Sequence, residues 1–273
     1  MLASFQAYLD ELCFWSARDS GQGVGGVTWS SAQHLAGLLN AYGQRMQSPY
    51  SALLVSCDQF FAPLCDPLRC DLGLHAWLAP EREESYSKWL SWTLKQYAEC
   101  GTLGEVLDLP IPSVSDTSGI RLLNELSIRS RDRTRSGRID IAICWHGKVS
   151  AILEIKTKSF TDEALEKHLL YCESPDVPPE AARIFIAQSA AGLDLRGFRL
   201  LNWQEVCVRL RRRVQRVAQE KGLLPAAMVI AFIAAVEQNI LGVRPFTGQN
   251  HYDIPVAVTY LQDFLRRITL DET

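Results

Sequence analysis

Gly137-Arg-Ile-Asp-Ile-Ala-Ile143, followed by His146-Gly147 and then by Ala151-Ile-Leu-Glu-Ile-Lys156, decides how the chain is read. Side chains alternate along a strand, so Ile139, Ile141 and Ile143 are expected on one face and Asp140 on the other. In the second run Leu153 and Ile155 share a face, and Glu154 and Lys156 share the opposite one. A hairpin with the three-residue loop His146-Gly147-Lys148 sets Trp145 across from Val149 and Asp140 across from Glu154. A two-residue loop would send the two acids to opposite faces, so the reading demands an odd-length loop.

Two carboxylates facing each other across a ladder repel unless something positive lies between them. A divalent cation meets that need. Mg²⁺ (or Mn²⁺) takes oxygen ligands, commonly one or two carboxylates plus a phosphate, and Asp140, Glu154 and the Ile155 carbonyl are the expected metal ligands. Lys156 is then placed to orient water or to stabilise charge on a phosphate. A third acid follows from helical geometry. At 100° per residue the stripe of Tyr86, Trp89, Leu90, Leu94 and Tyr97 includes the direction of Glu83 but not of Glu84. Glu83 therefore faces inward and needs a partner, unless it is only a first-turn glutamate favoured by the helix dipole.

Outward from this segment the elements read helix (Glu83 to Tyr97), strands (Asn124 to Arg129, Arg138 to Cys144, Val149 to Lys156), helix (Thr161 to Glu173), strand (Arg183 to Ala187) and helix (Asn202 to Gln219). This is α/β or α+β grammar on a mixed sheet. Before it, residues 1–78 form a mainly helical N-terminal region, with Ser30 or Ser31 a candidate cap for a helix through Asn40. The core is expected over 79–217, and C-terminal helices over 218–273 pack on it. Gly21, Gly23 and Gly26 follow a helical pattern rather than a strand and read as a turn.

At these residues the chain resembles the PD-(D/E)xK nuclease superfamily, whose core has a helix bearing an acid, a strand with Asp, and an adjoining Glu-x-Lys strand. The resemblance implies a restriction-endonuclease-like core with flanking N- and C-terminal helices. It makes Asp140 and Glu154 metal ligands, Lys156 the catalytic lysine and Glu83 the accessory acid. Many relatives carry Gln-x-x-x-Tyr on the next helix; here Lys167 and Tyr171 hold those places, a departure that suits a phosphate contact by Lys167. The implied activity is Mg²⁺-dependent hydrolysis of phosphodiester bonds, in phage defence or DNA processing. A lone Glu-Ile-Lys is more often a solvated strand face, and the weight lies in the ordered combination.

The chain has 273 residues, 28 Lys+Arg against 31 Asp+Glu, and a net charge of −3, so a polyanion must be held by local patches. Arg129, Arg131, Arg133, Arg135 and Arg138 lead into the Asp140 strand, and Arg209, Arg211, Arg212, Arg213 and Arg216 crowd a later helix. The first run, with Lys158, Lys167 and Tyr171, is the expected nucleic-acid surface, for DNA ahead of RNA. The second is either a phosphate face or a solvated one. The alternative function is a non-cleaving nucleic-acid-binding or protein-interaction module on the same scaffold. The N-terminal helices leave room for a homo-oligomer or a partner protein.

Gly222 to Val236 is uncharged but too short for a membrane span and reads as a buried helix, with Val256 to Ile268 another. The N-terminus lacks a basic n-region, so a cytoplasmic protein is expected. No C-x-x-C pair occurs among the eight cysteines, and free thiols are expected over a zinc site at Cys57, Cys65, Cys70 and His75.

Overall fold

The computed structural model describes residues 29–69, 78–79, 82–111, 119–130, 134, 136–157, 170, 174–188, 195, 197–245 and 254–271. The expected Thr161 to Glu173 helix and the Gly21 to Gly26 turn lie almost wholly or wholly outside them. The architecture is mixed α/β, a five-stranded sheet with flanking helices. In chain order the elements are α1 (Trp29–Asp58), α2 (Glu83–Glu99), α3 (Leu103–Leu107), β1 (Ile120–Arg129), β2 (Ser136–Trp145), β3 (Lys148–Ile155), β4 (Ala182–Ala187), β5 (Arg199–Asn202), α4 (Trp203–Lys221), α5 (Leu223–Asn239) and α6 (Ile254–Asp271). The strands lie in the order β1-β2-β3-β4-β5; β1, β2 and β3 pair antiparallel, and β3, β4 and β5 pair parallel.

Four residues of α2, Tyr86, Leu90, Leu94 and Tyr97, are wholly buried, each stabilising the fold by roughly 1.5–3 kcal/mol relative to exposure. They join Ile141, Ile143, Leu153, Ile155, Ile184 and Ile186 in one core that also takes in α1, α4, α5 and α6. A smaller cluster of Ile128, Ile139, Ala142, Ile152, Phe185 and Phe198 packs separately. Ile139 has therefore left the Ile141/Ile143 set, which corrects the expected alternation. Asp140 lies at the break, at the rung where Glu125 of β1 has a left-handed backbone with φ 56° and no ladder partner is formed.

The hairpin loop also differs from expectation. His146 (φ 48°) and Gly147 (φ 80°) form a two-residue turn, the type I′ geometry whose twist suits a hairpin. Trp145 consequently pairs with Lys148 and Cys144 with Val149. A bulge then leaves Ser150 as an extra residue, and the register resumes with Ile143 opposite Ala151 and Ile141 opposite Leu153. One inserted residue restores what the shorter turn removed, so Asp140 and Glu154 still come to the same level.

Helix α1 runs past Asn40 to Asp58, with Pro49 inside it. Helix α4 is capped by Asn202, whose side chain accepts the Glu205 N–H at 2.8 Å. Its Arg211 is not on a surface. Wholly buried, it donates to both oxygens of Glu237 (Nε to Oε1 2.6 Å, Nη2 to Oε2 2.7 Å) and to Asp66 Oδ2 (2.5 Å), with the Phe61 ring 4.5 Å from its guanidinium. Tyr260 of α6 donates to Glu237 Oε1 at 2.5 Å. Arg209 pairs with Glu205, Arg213 with Glu105 and Arg216 with Glu220. These four charges of the α4 run are paired within the fold, and the wholly buried Arg211 is closed to a phosphate. Among the described residues no helix is long and apolar enough to cross a membrane. Cys57 is buried and Cys65 exposed; Cys70 and His75 lie outside the described residues.

Candidate active site

At the carboxyl end of β3 the sheet opens. The Lys156 N–H still donates to Ile186 O of β4 at 2.8 Å, while the rungs to β2 stop at Ile141 and Leu153. Beyond them the Ile155 N–H donates to Asp140 Oδ2 at 2.9 Å, so a side-chain carboxylate takes the place of a ladder carbonyl. Lys156 Nζ donates to Glu83 Oε1 (2.7 Å), Glu154 Oε1 (3.2 Å) and the Ile155 carbonyl (3.2 Å). Glu83, in the first turn of α2, also accepts the Thr157 N–H on Oε2 at 3.3 Å. Glu83, Asp140, Glu154 and Lys156 are thereby brought together from three elements.

Burial decides the electrostatics. The Glu154 side chain is 7% exposed, and its carboxyl is pushed up to about 8, by desolvation first and by the Asp140 charge second, against the pull of Lys156. Desolvation also raises Asp140, although the Ile155 N–H and Lys156 oppose it. Burial works against the Lys156 ammonium, but Glu154 and Glu83 outweigh it and Lys156 is raised.

A carboxyl raised on folding holds its proton more tightly in the native state. Its stabilising contribution is full below the ordinary value near 4.5 and is lost as pH rises through about 8. Glu154→Gln, which has no proton to lose, is therefore expected to match the wild type at pH 5 and exceed it at pH 9. The gain should be on the order of 2 kcal/mol, since the interaction is shared with Asp140 and Lys156. Urea unfolding in EDTA at the two pH values measures it; an equal difference at both contradicts the assignment.

Residues not singled out beforehand hold this corner. Trp203 Nε1 donates to the Lys156 carbonyl at 2.7 Å, and its ring meets the edge of Tyr86 at 6.2 Å. Tyr86 donates to Leu78 O at 3.1 Å, and Asn239 Nδ2 donates to that carbonyl and to Tyr86 Oη. The sequence offers only a tryptophan opening a helix after a polar cap, with no spacing that ties it to Lys156.

Glu83 and Asp140 also line a cleft of about 90 Å³, together with Asn124, Lys88, Glu125 and Arg138, among others. Arg138 reaches Glu125 at 3.4 Å, and Lys88 pairs with Glu84 at 2.8 Å. Arg133, Arg135, Lys158, Lys167 and Tyr171 lie outside the described residues. Among the described residues no group of three or more His, Cys, Asp and Glu forms a metal cluster. The donors that do converge are the hard oxygens of Asp140 and Glu154 next to the Ile155 carbonyl. Asp140 pushes the Glu154 carboxyl up, a repulsion that a cation relieves. That set suits an ion that takes two carboxylates and keeps its waters.

Compared with protein-family models, with curated proteins and with solved structures, the chain matches none of them.

Proposed function

We propose that this chain is a Mg²⁺- or Mn²⁺-dependent nuclease that hydrolyses phosphodiester bonds of DNA on a restriction-endonuclease-like, PD-(D/E)xK core. The observation that carries the reading is the convergence of Asp140, Glu154 and Lys156 with Glu83, of which Glu83 and Asp140 line a polar cleft. A solvated strand face would leave Glu154 in water; here it is buried against an acid and an ammonium.

In this reading Asp140 and Glu154, with the Ile155 carbonyl, would hold the cation, which when bound would supply Lewis-acid polarisation of the phosphate and activation of water. Lys156 directs its ammonium at the water or at the charge growing on the phosphate. Glu83 keeps Lys156 aimed by its short contact, and Trp203 fixes the backbone that carries it. Arg138 and Lys88, both lining the cleft, are described basic residues placed to meet a neighbouring phosphate once they exchange Glu125 and Glu84 for it.

The test is incubation of purified protein with supercoiled plasmid in Mg²⁺ or Mn²⁺ and in EDTA, beside Glu154→Ala and Lys156→Ala, with a single-stranded RNA as second substrate. Metal-dependent nicking by the wild type alone is expected. Identical behaviour of all three proteins defeats the enzyme reading, and binding without cleavage favours the scaffold module instead.

A further inference from the structure

The ammonium of Lys156 points its donors at three oxygens, Glu83 Oε1 at 2.7 Å, Glu154 Oε1 at 3.2 Å and the Ile155 carbonyl at 3.2 Å. An ammonium has three protons, so these contacts saturate it. Two of the three acceptors are the oxygens assigned above to a divalent cation, and an ammonium 3.2 Å from each of them repels a second positive charge bound to the same groups. The third, Glu83, lies outside that donor set. It makes the shortest of the three contacts and is itself tied to the strand end through the Thr157 N–H at 3.3 Å.

We propose that Lys156 is an internal counter-cation that competes for the metal site: in the metal-free protein its ammonium satisfies Glu154 and the Ile155 carbonyl, and loading requires it to withdraw to Glu83. The inference rests on the reading of Asp140, Glu154 and the Ile155 carbonyl as the cation's donors. It assigns Glu83 a positioning role as the acceptor that retains the displaced lysine. The same side chain thus shields two acids from each other when the cation is absent, and is available to the reacting phosphate when it is present.

An ordinary supporting residue would weaken metal binding when removed, whereas a competitor strengthens it. Mg²⁺ affinity measured by titration calorimetry at pH 8.5, with no nucleic acid present, separates the two. Lys156→Met and Lys156→Gln are each expected to bind Mg²⁺ about tenfold more tightly than the wild type, because a like charge and a rival for the same oxygens have gone. Glu83→Gln should bind about threefold to tenfold more weakly, since the lysine then has only the metal's own ligands to hold.

Combining Lys156→Met with Glu83→Gln should recover the tight binding of Lys156→Met alone. Were Glu83 itself a ligand, the double variant would remain weak. Unchanged or weaker binding in both lysine variants overturns the proposal, as does the absence of saturable binding in wild type and variants alike. Tightening without plasmid cleavage by the wild type would leave this inference standing and remove the nuclease reading; cleavage without tightening would do the reverse.

Discussion

Lys156→Ala is expected to slow metal-dependent DNA cleavage by about 10²–10³ in kcat, the usual loss when one preorganised donor to a developing charge is removed. KM for DNA should move little, because Lys156 is a single, 23% exposed group rather than part of an extended phosphate-binding surface. Glu154→Ala should go further and remove the response to Mg²⁺, leaving Asp140 and one carbonyl to hold the ion. Neither loss should come from unfolding: both residues sit at a strand end, Lys156 23% exposed and Glu154 buried, and the core beneath them is made of Ile141, Leu153 and Ile155. Single-turnover cleavage, with circular dichroism of each variant, measures both effects. A Lys156→Ala protein within threefold of wild-type kcat would remove the lysine from the reaction.

The largest effect on stability is expected far from that cleft. Arg211→Met should lower the unfolding free energy by about 3–5 kcal/mol, because Asp66 and Glu237 would be left as buried charges without a cation. For a chain of this size that corresponds to a fall in Tm of about 10 °C. Truncation of a long side chain contributes less than this abandoned charge, and the two can be separated. Arg211→Met combined with Asp66→Asn and Glu237→Gln should recover much of the loss, since well-packed neutral groups commonly replace a buried ion cluster at little cost. Calorimetric melting at pH 7 checks it; a Tm within a degree or two of wild type for Arg211→Met would show that the cluster is hydrated or rearranges.

The two sites differ in how far the amino-acid order revealed them. Glu83, Asp140, Glu154 and Lys156 could be proposed together because strand alternation and the 100° helical step are local rules, and each residue lies inside a regular element. The hairpin shows where such rules end. The level of Asp140 and Glu154 was read from a three-residue loop, whereas a two-residue turn and a bulge at Ser150 produce it. Turn and bulge compensate, and nothing in Val149-Ser150-Ala151 announces an extra residue. The break at Asp140 was equally hidden, because Ile139-Asp-Ile141 looks like unbroken alternation and the cause lies on the neighbouring strand at Glu125.

Arg211 was misread for a different reason. A basic run has the same composition on a wet helix face and in an ion cluster, and its partners Asp66 and Glu237 are 145 and 26 residues away. Trp203 is likewise 47 residues from the carbonyl it holds. Long-range satisfaction of a buried donor leaves no periodic trace. Helix α1 exceeded its expected length because its apolar residues Met46, Tyr50 and Leu54 are buried in the tertiary core, offsetting the helix bond that Pro49 cannot make.

The left-handed residue of β1 has a bearing on colloidal behaviour as well as on the cleft. As the outermost of the described strands, β1 is ten residues long, and an edge strand is the kind of template on which foreign chains accrete. Glu125 interrupts that template near its middle, and its carboxylate adds a charge there. An incoming strand would meet a left-handed residue there, where the regular ladder is broken. The kink therefore makes the open margin of the sheet a poor seed for fibrils.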